Sequence, residues 1–149
     1  MKNTKINLLA FLAIVVIAIT FQITNAKAGE PWQPNQLMEP AELNKIINNP
    51  KAPKTYIYSI GYQAVIKNSI DIGAGNKIEN QKKLKEQLKK LPKDANIVIY
   101  CGCCPFSRCP NVRPVFLMLS EMGFKNHKLL NLPQNIKVDW IDKGYAIKK

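Results

Sequence analysis

The sequence predicts an α/β domain with a mostly parallel sheet. Short β-branched and aromatic runs alternate with segments of helical periodicity, and Gly, Pro and Asn separate them. One run, Ile97-Val98-Ile99-Tyr100, is continuously apolar and only four residues long. That is the signature of a strand buried on both faces, as in the middle of a parallel sheet.

Taken along the chain, Pro31 to Gln36 is a Pro-rich lead-in and Leu37-Met38 a short edge strand. Pro40 to Ile47 is predicted as a helix. Pro40 suits the first turn, Leu43, Ile46 and Ile47 share a face, and Asn48-Asn49-Pro50 stops it. Thr55 to Ile60 is a strand ending at Gly61, and Ser69 to Ile72 a second short one ending at Gly73-Ala74-Gly75. Asn80 is expected to cap a helix running to about Leu91, with Pro92 beyond it. After the Ile97–Tyr100 strand comes a loop, then a helix from about Val112 to Met122. Pro114 fits its first turn, Val115, Phe116, Leu119 and Met122 give its apolar stripe, and Gly123 its C-terminal cap. Lys128 to Leu130 is a last short strand. Ile136 to Asp142 is expected as a small terminal helix packing Trp140.

The N-terminus has a different character. Lys2 and Lys5 precede an apolar run from Ile6 to Phe21, and Ala26-Lys27-Ala28 follows. A charged start, an apolar core and a small-residue cleavage site make a secretory signal peptide. The expectation is cleavage after Ala28, a periplasmic or secreted protein, and no stable membrane insertion afterwards. Residues 29 to 36 then form the lead-in and 37 to 149 the domain. The 149-residue chain carries 22 basic and 10 acidic residues. Loss of Lys2, Lys5 and Lys27 lowers the net charge from +12 to +9. The lysines of the densest stretch, Lys82 to Lys93, alternate with Leu84, Leu88 and Leu91. That pattern is a solvated helix face, so no nucleic-acid partner is expected.

All four cysteines, Cys101, Cys103, Cys104 and Cys109, lie within nine residues. They close no large loop, so as disulfides they would add little chain-entropy stabilisation. Such clustering points to chemistry, metal or a local redox pair. Cys101 sits at the carboxyl end of the buried strand, where open α/β sheets bind ligands. Loop amides, the helix start that follows, Arg108 and Arg113 are all expected to lower its pKa. A thiolate is the nucleophile that sulfur chemistry requires.

Several segments in fixed order resemble a rhodanese domain. They are Ile66 to Gly73, the strand ending at Cys101 with its loop and helix, Gly123-Phe124, and Asp139-Trp140-Ile141-Asp142-Lys143-Gly144-Tyr145. The resemblance spans nearly all of Leu37 to Tyr145. It implies a three-layer α/β/α domain and a sulfurtransferase that forms a persulfide on Cys101. Such a domain takes sulfane sulfur from a small sulfur-containing anion such as thiosulfate. It passes that sulfur to a protein or small-molecule thiol, or to cyanide, and needs no cofactor. Gly102, Arg108 and Arg113 are then candidates for holding the donor or stabilising the thiolate. Cys103, Cys104 and Cys109 are candidates for relay, resolution or a local disulfide. Three features depart from the family pattern. Tyr58-Ser59-Ile60-Gly61 stands where an Asp-x-Arg is frequent, the active loop is several residues longer, and it holds three extra cysteines.

Rival readings use the same residues. A Cys-x5-Arg phosphatase would need Arg at position 107, where Ser107 stands and Arg108 is one step late. A non-enzymatic metal site would use Cys101, Cys103, Cys104 and Cys109, though four ligands so close must fold back sharply. A disulfide-redox module would use the Cys-x-x-Cys pair Cys101 and Cys104, and four cysteines allow three pairings. His127, the only histidine, is expected at the surface or in packing rather than as a base. Trp32, Trp140 and Tyr145 are expected in the core or over it.

Overall fold

Five strands form one sheet in the order β1-β5-β4-β2-β3, every neighbouring pair parallel, in a computed structural model that describes residues 29–149. The strands are β1 (Leu37–Met38), β2 (Thr55–Ser59), β3 (Ile70–Asp71), β4 (Asn96–Tyr100) and β5 (His127–Leu130). The helices are α1 (Pro40–Asn48), α2 (Ile78–Leu88) and α3 (Val112–Glu121). A single π-helical turn, Lys137–Ile141, follows the sheet. The expected N-terminal signal lies outside the described residues. Among the described residues no helix is long and apolar enough to cross a membrane.

The alternation of side chains along β4 creates three layers. Ile97, Ile99 and Cys101 face a cluster containing Leu84 and Leu88 of α2 and Val112, Val115, Phe116 and Leu119 of α3. Val98 and Tyr100 face the opposite cluster, with Leu43 of α1, Ile57, Leu130 and Trp140. Both faces of β4 are therefore dry, which explains its unbroken apolar run. The result is a three-layer α/β domain, consistent with the rhodanese-like architecture that the sequence suggests.

Packing also settles several local expectations. Asn80 does not cap α2. The helix starts two residues earlier at Ile78, and the Asn80 amide instead donates to the Ala74 carbonyl at 3.0 Å. Regular helix ends at Leu88, and a turn bonding Leu91 N–H to Leu88 O replaces the last expected residues. The strand expected over Ser69 to Ile72 pairs only at Ile70–Asp71, because the Ser69 hydroxyl turns inward to Tyr100. The lead-in is not separate from the domain. Its Trp32 is buried between Phe106 and Phe116, and the compact unit begins at Pro31.

Trp140 is fully buried, with Tyr145 edge-on at 5.2 Å and its indole N–H on the Ala146 carbonyl. His127 is buried rather than exposed. Its Nδ1–H donates to the Phe124 carbonyl at 2.9 Å, which leaves Nε2 to accept from the Ser120 hydroxyl at 3.1 Å. Burial pushes its pKa down, so the ring is neutral packing against Phe116.

Candidate functional site

Cys101 is placed by the residue before it. Tyr100 is fully buried, and its hydroxyl accepts the Val65 and Ile66 N–H groups at 3.0 and 3.2 Å and meets the Ser69 hydroxyl at 2.9 Å. This ties the segment after β2 across the carboxyl end of β4. The Tyr100 carbonyl accepts the Ile60 N–H, and the Ile60 carbonyl accepts the Gly75 N–H. Gly61 thereby lies against Cys101. A Cβ on Gly61 would collide with the Cys101 carbonyl oxygen and come within 3.2 Å of its Sγ. Glycine is required there for close approach rather than for torsional freedom.

The loop after Cys101 folds back on itself. Gly102 has φ +81°, in the left-handed region that glycine tolerates. Its carbonyl accepts the Ile136 N–H, and any Cβ would lie 2.8 Å from that of Ile136. Farther on, Phe106 N–H bonds to the Leu132 carbonyl, and the Phe106 ring packs on Trp32. The 3-10 turn Phe106–Arg108 then returns the chain, so that Cys109 is buried beside Cys101.

Three thiols meet here. The sulfurs of Cys101, Cys103 and Cys109 all lie within 4.8 Å of one another. Cys101 and Cys103 are 3.1 Å apart, and Cys103 and Cys109 3.9 Å apart. The Cys104 sulfur lies 3.3 Å from that of Cys103 and also interacts with Cys109, but it is outside the mutually close group of three. Cys103 is exposed, Cys104 half-buried, and Cys101 and Cys109 buried at 7% and 1% exposure.

Asn111 completes the group, and nothing in the sequence singled it out. It is 4% exposed, and its Nδ2 donates to the Cys101 Sγ at 3.2 Å. Its Oδ1 accepts the Asn76 N–H at 3.2 Å, which fixes the amide with its N–H groups toward the sulfur. Its backbone carbonyl lies so close to Gly75 that a Cβ there would stand 2.5 Å away. The only available signal was its place in Cys109-Pro110-Asn111, just before a helix. The partner that orients it is 35 residues away.

These donors hold Cys101 as a thiolate. Its pKa falls to about 5, chiefly because the Cys109 thiol donates to it. Burial opposes this, while the Asn111 amide, the Cys103 N–H and the Cys103 thiol add to it. The partners move the other way. Burial and donation to Cys101 push Cys103 up to about 12. Donation to Cys101, then burial, push Cys109 up as well. Of these three thiols, Cys101 is therefore the one that ionises first.

Neither arginine is among the groups that lower the Cys101 pKa. Arg113 stacks over Trp32, its guanidinium carbon 5.4 Å from the ring, and reaches the Ser107 carbonyl. Arg108 ends the 3-10 turn and is exposed. Hydrogen bonds from neighbouring side chains and backbone, not guanidinium charge, account for the lowered pKa. A cleft at the amino ends of the strands, lined by Thr55, Asn96, His127 and Lys128 among others, contains no thiol.

The fold and site define a three-layer α/β domain with a thiolate at the carboxyl edge of a parallel sheet. No family model, curated protein or solved structure matches the chain significantly.

The Asn111 contact makes a direct prediction. In Asn111→Leu the donated hydrogen bond is lost, so the midpoint pH for Cys101 alkylation should rise. A pH–rate profile, with thermal melting to confirm folding, checks this. An unchanged midpoint in a folded variant would remove Asn111 from the site.

Proposed function

We propose that the domain is a sulfur carrier of the rhodanese-like type, exported through its N-terminal segment, with Cys101 as the sulfur-accepting residue. The observation that carries this reading is the Cys101 thiolate, held at the end of β4 by Asn111, Cys103 and Cys109. The Cys101 Sγ attacks the outer sulfur of a donor such as thiosulfate. The new S–S bond forms as the donor's own S–S bond breaks, and sulfite leaves with the electron pair. An acceptor thiolate then attacks the terminal sulfur of the persulfide, leaving as a persulfide itself and regenerating the Cys101 thiolate. The groups that steady the thiolate also suit the persulfide anion, which carries the same charge one sulfur farther out.

The test is intact-protein mass spectrometry before and after exposure to thiosulfate or polysulfide. One added sulfur atom per chain, mapped to the Cys101 peptide and removed by a thiol, is the expected result. Absence of any sulfur gain from either donor would contradict the reading.

The 3.1 Å separation of Cys101 and Cys103 favours a second reading, a disulfide-redox module. The Cys-x-x-Cys spacing suggested Cys104 as the partner of Cys101. Distance favours Cys103, because Gly102 turns the chain so sharply. An oxidised Cys101–Cys103 pair, with no sulfur gain, would favour this reading.

A further inference from the structure

We infer that Cys101, Cys103 and Cys109 form a three-thiolate site for copper(I), and that copper and sulfane sulfur exclude one another there. The exclusion rests on the sulfur-carrier reading above; the site does not.

The geometry comes first. A metal–thiolate bond of about 2.3 Å places the sulfurs of a trigonal site about 4 Å apart. The observed separations are 3.1 and 3.9 Å, with the third pair within 4.8 Å. Small side-chain rotations therefore suffice to seat an ion. The scaffold is already built: Gly102 sets the turn, and the Phe106–Arg108 turn returns Cys109 to the strand end. Little further ordering is then needed on binding.

Ligand number and type select the ion. Thiolates are soft donors that favour copper(I), zinc and iron–sulfur clusters. Structural zinc sites and clusters call for a fourth protein ligand, and three-ligand catalytic zinc sites draw at least one of theirs from histidine. Among the described residues no histidine or carboxylate joins the three sulfurs. Cys104 is outside the mutual group: it reaches Cys103 at 3.3 Å and also contacts Cys109, but it does not join the three sulfurs that all lie within 4.8 Å of one another. Three soft ligands without a fourth suit copper(I).

The protons are also accounted for: thiolate, not thiol, ligates the metal, so the protons that these thiols carry pass to solvent on binding. The copper enters and leaves as copper(I), and no electron moves. The ion takes the place of the protons that the three sulfurs now share. Asn111 keeps its hydrogen bond to Cys101 and steadies the excess negative charge, the role of an outer partner in a metal site. A lone pair of Cys101 held by copper cannot attack a sulfur donor, and hence the exclusion.

The experiment is an anaerobic titration of the reduced full-length protein with copper(I) against a chromogenic copper(I) chelator. Binding of one ion per chain is expected, with three sulfur neighbours in the X-ray absorption spectrum. Cys101→Ser, Cys103→Ser and Cys109→Ser should each weaken binding beyond the roughly 10–100-fold typical of losing an outer partner. Cys104→Ser should bind as the parent does. Copper-loaded protein should take no sulfur from polysulfide until a chelator removes the metal. A parent affinity no greater than that of the protein lacking all four thiols would overturn the site. So would equal losses for Cys104→Ser and Cys103→Ser, or a four-sulfur spectrum, which does not depend on any variant folding. If copper binds as stated but metal-free protein takes no sulfur, the sulfur-carrier reading falls and the site stands. If sulfur loads and copper does not bind, the site falls alone.

Discussion

Cys101→Ser is expected to reduce sulfur loading to background. The serine is close in size, so the strand end and its neighbours should keep their places and the thermal melt should change little. What is lost is the nucleophile, since a hydroxyl near neutral pH does not attack sulfane sulfur. The remaining thiols cannot substitute. Cys103 and Cys109 hold their protons because they donate to Cys101. Without the Cys101 thiolate their pKa values should fall toward the ordinary range, but no strand end or Asn111 amide then converges on them. Cys109→Ser should keep partial loading, because a serine hydroxyl can still donate to the thiolate. Peptide mapping after polysulfide treatment checks both variants. Parental-rate transfer by Cys101→Ser would refute the assignment of the nucleophile.

Val98→Asp should prevent folding. Val98 is 1% exposed and lies in the middle of β4, paired with Ile57 of β2 and Lys128 of β5. Its side chain faces the cluster of Leu43, Ile57, Leu130 and Trp140, which offers a carboxylate no partner. An unpaired buried charge costs on the order of several kcal/mol even after relaxation. A domain of this size has only about 5–15 kcal/mol in total. Circular dichroism and thermal melting of the variant decide it. An unchanged melt would mean that β4 is not the buried centre of the sheet.

Much of this fold was legible because burial on two faces leaves a compositional mark. Ile97 to Tyr100 announced β4, and its end located Cys101. The α3 stripe of Val115, Phe116 and Leu119, closed by Gly123, was equally plain. The start of α2 was not. Asn80 has the chemistry of a cap, but Gly73 and Ala74 lie close enough to claim its amide. That depends on a loop path no local pattern encodes.

The site divides in the same way. Four cysteines in one loop are visible at once, but which three converge depends on the positive φ of Gly102 and on the turn at Phe106. Gly61 and Asn111 escaped notice because their roles are set by segments far away in sequence. Gly61 matters through close approach to the Cys101 carbonyl, and Asn111 through the Asn76 N–H. Arg108 and Arg113 drew attention as nearby charge. Arg113 stacks over Trp32 from the lead-in, and neither arginine contributes to the lowered Cys101 pKa.

The central claim is that one thiol, Cys101, is ionised while its neighbours are not. Alkylation rates resolved by peptide mapping, measured on the reduced, metal-free protein from acid to alkaline pH, test it most directly. Only the thiolate reacts, so the rate at each cysteine follows its own ionisation. The Cys101 rate should rise through a midpoint near pH 5 and stay level across neutral pH. Cys103, with its pKa raised to about 12, should stay slow over the same range. A Cys101 midpoint at the ordinary thiol value near 8.5, or Cys103 reacting first at pH 7, would contradict the account.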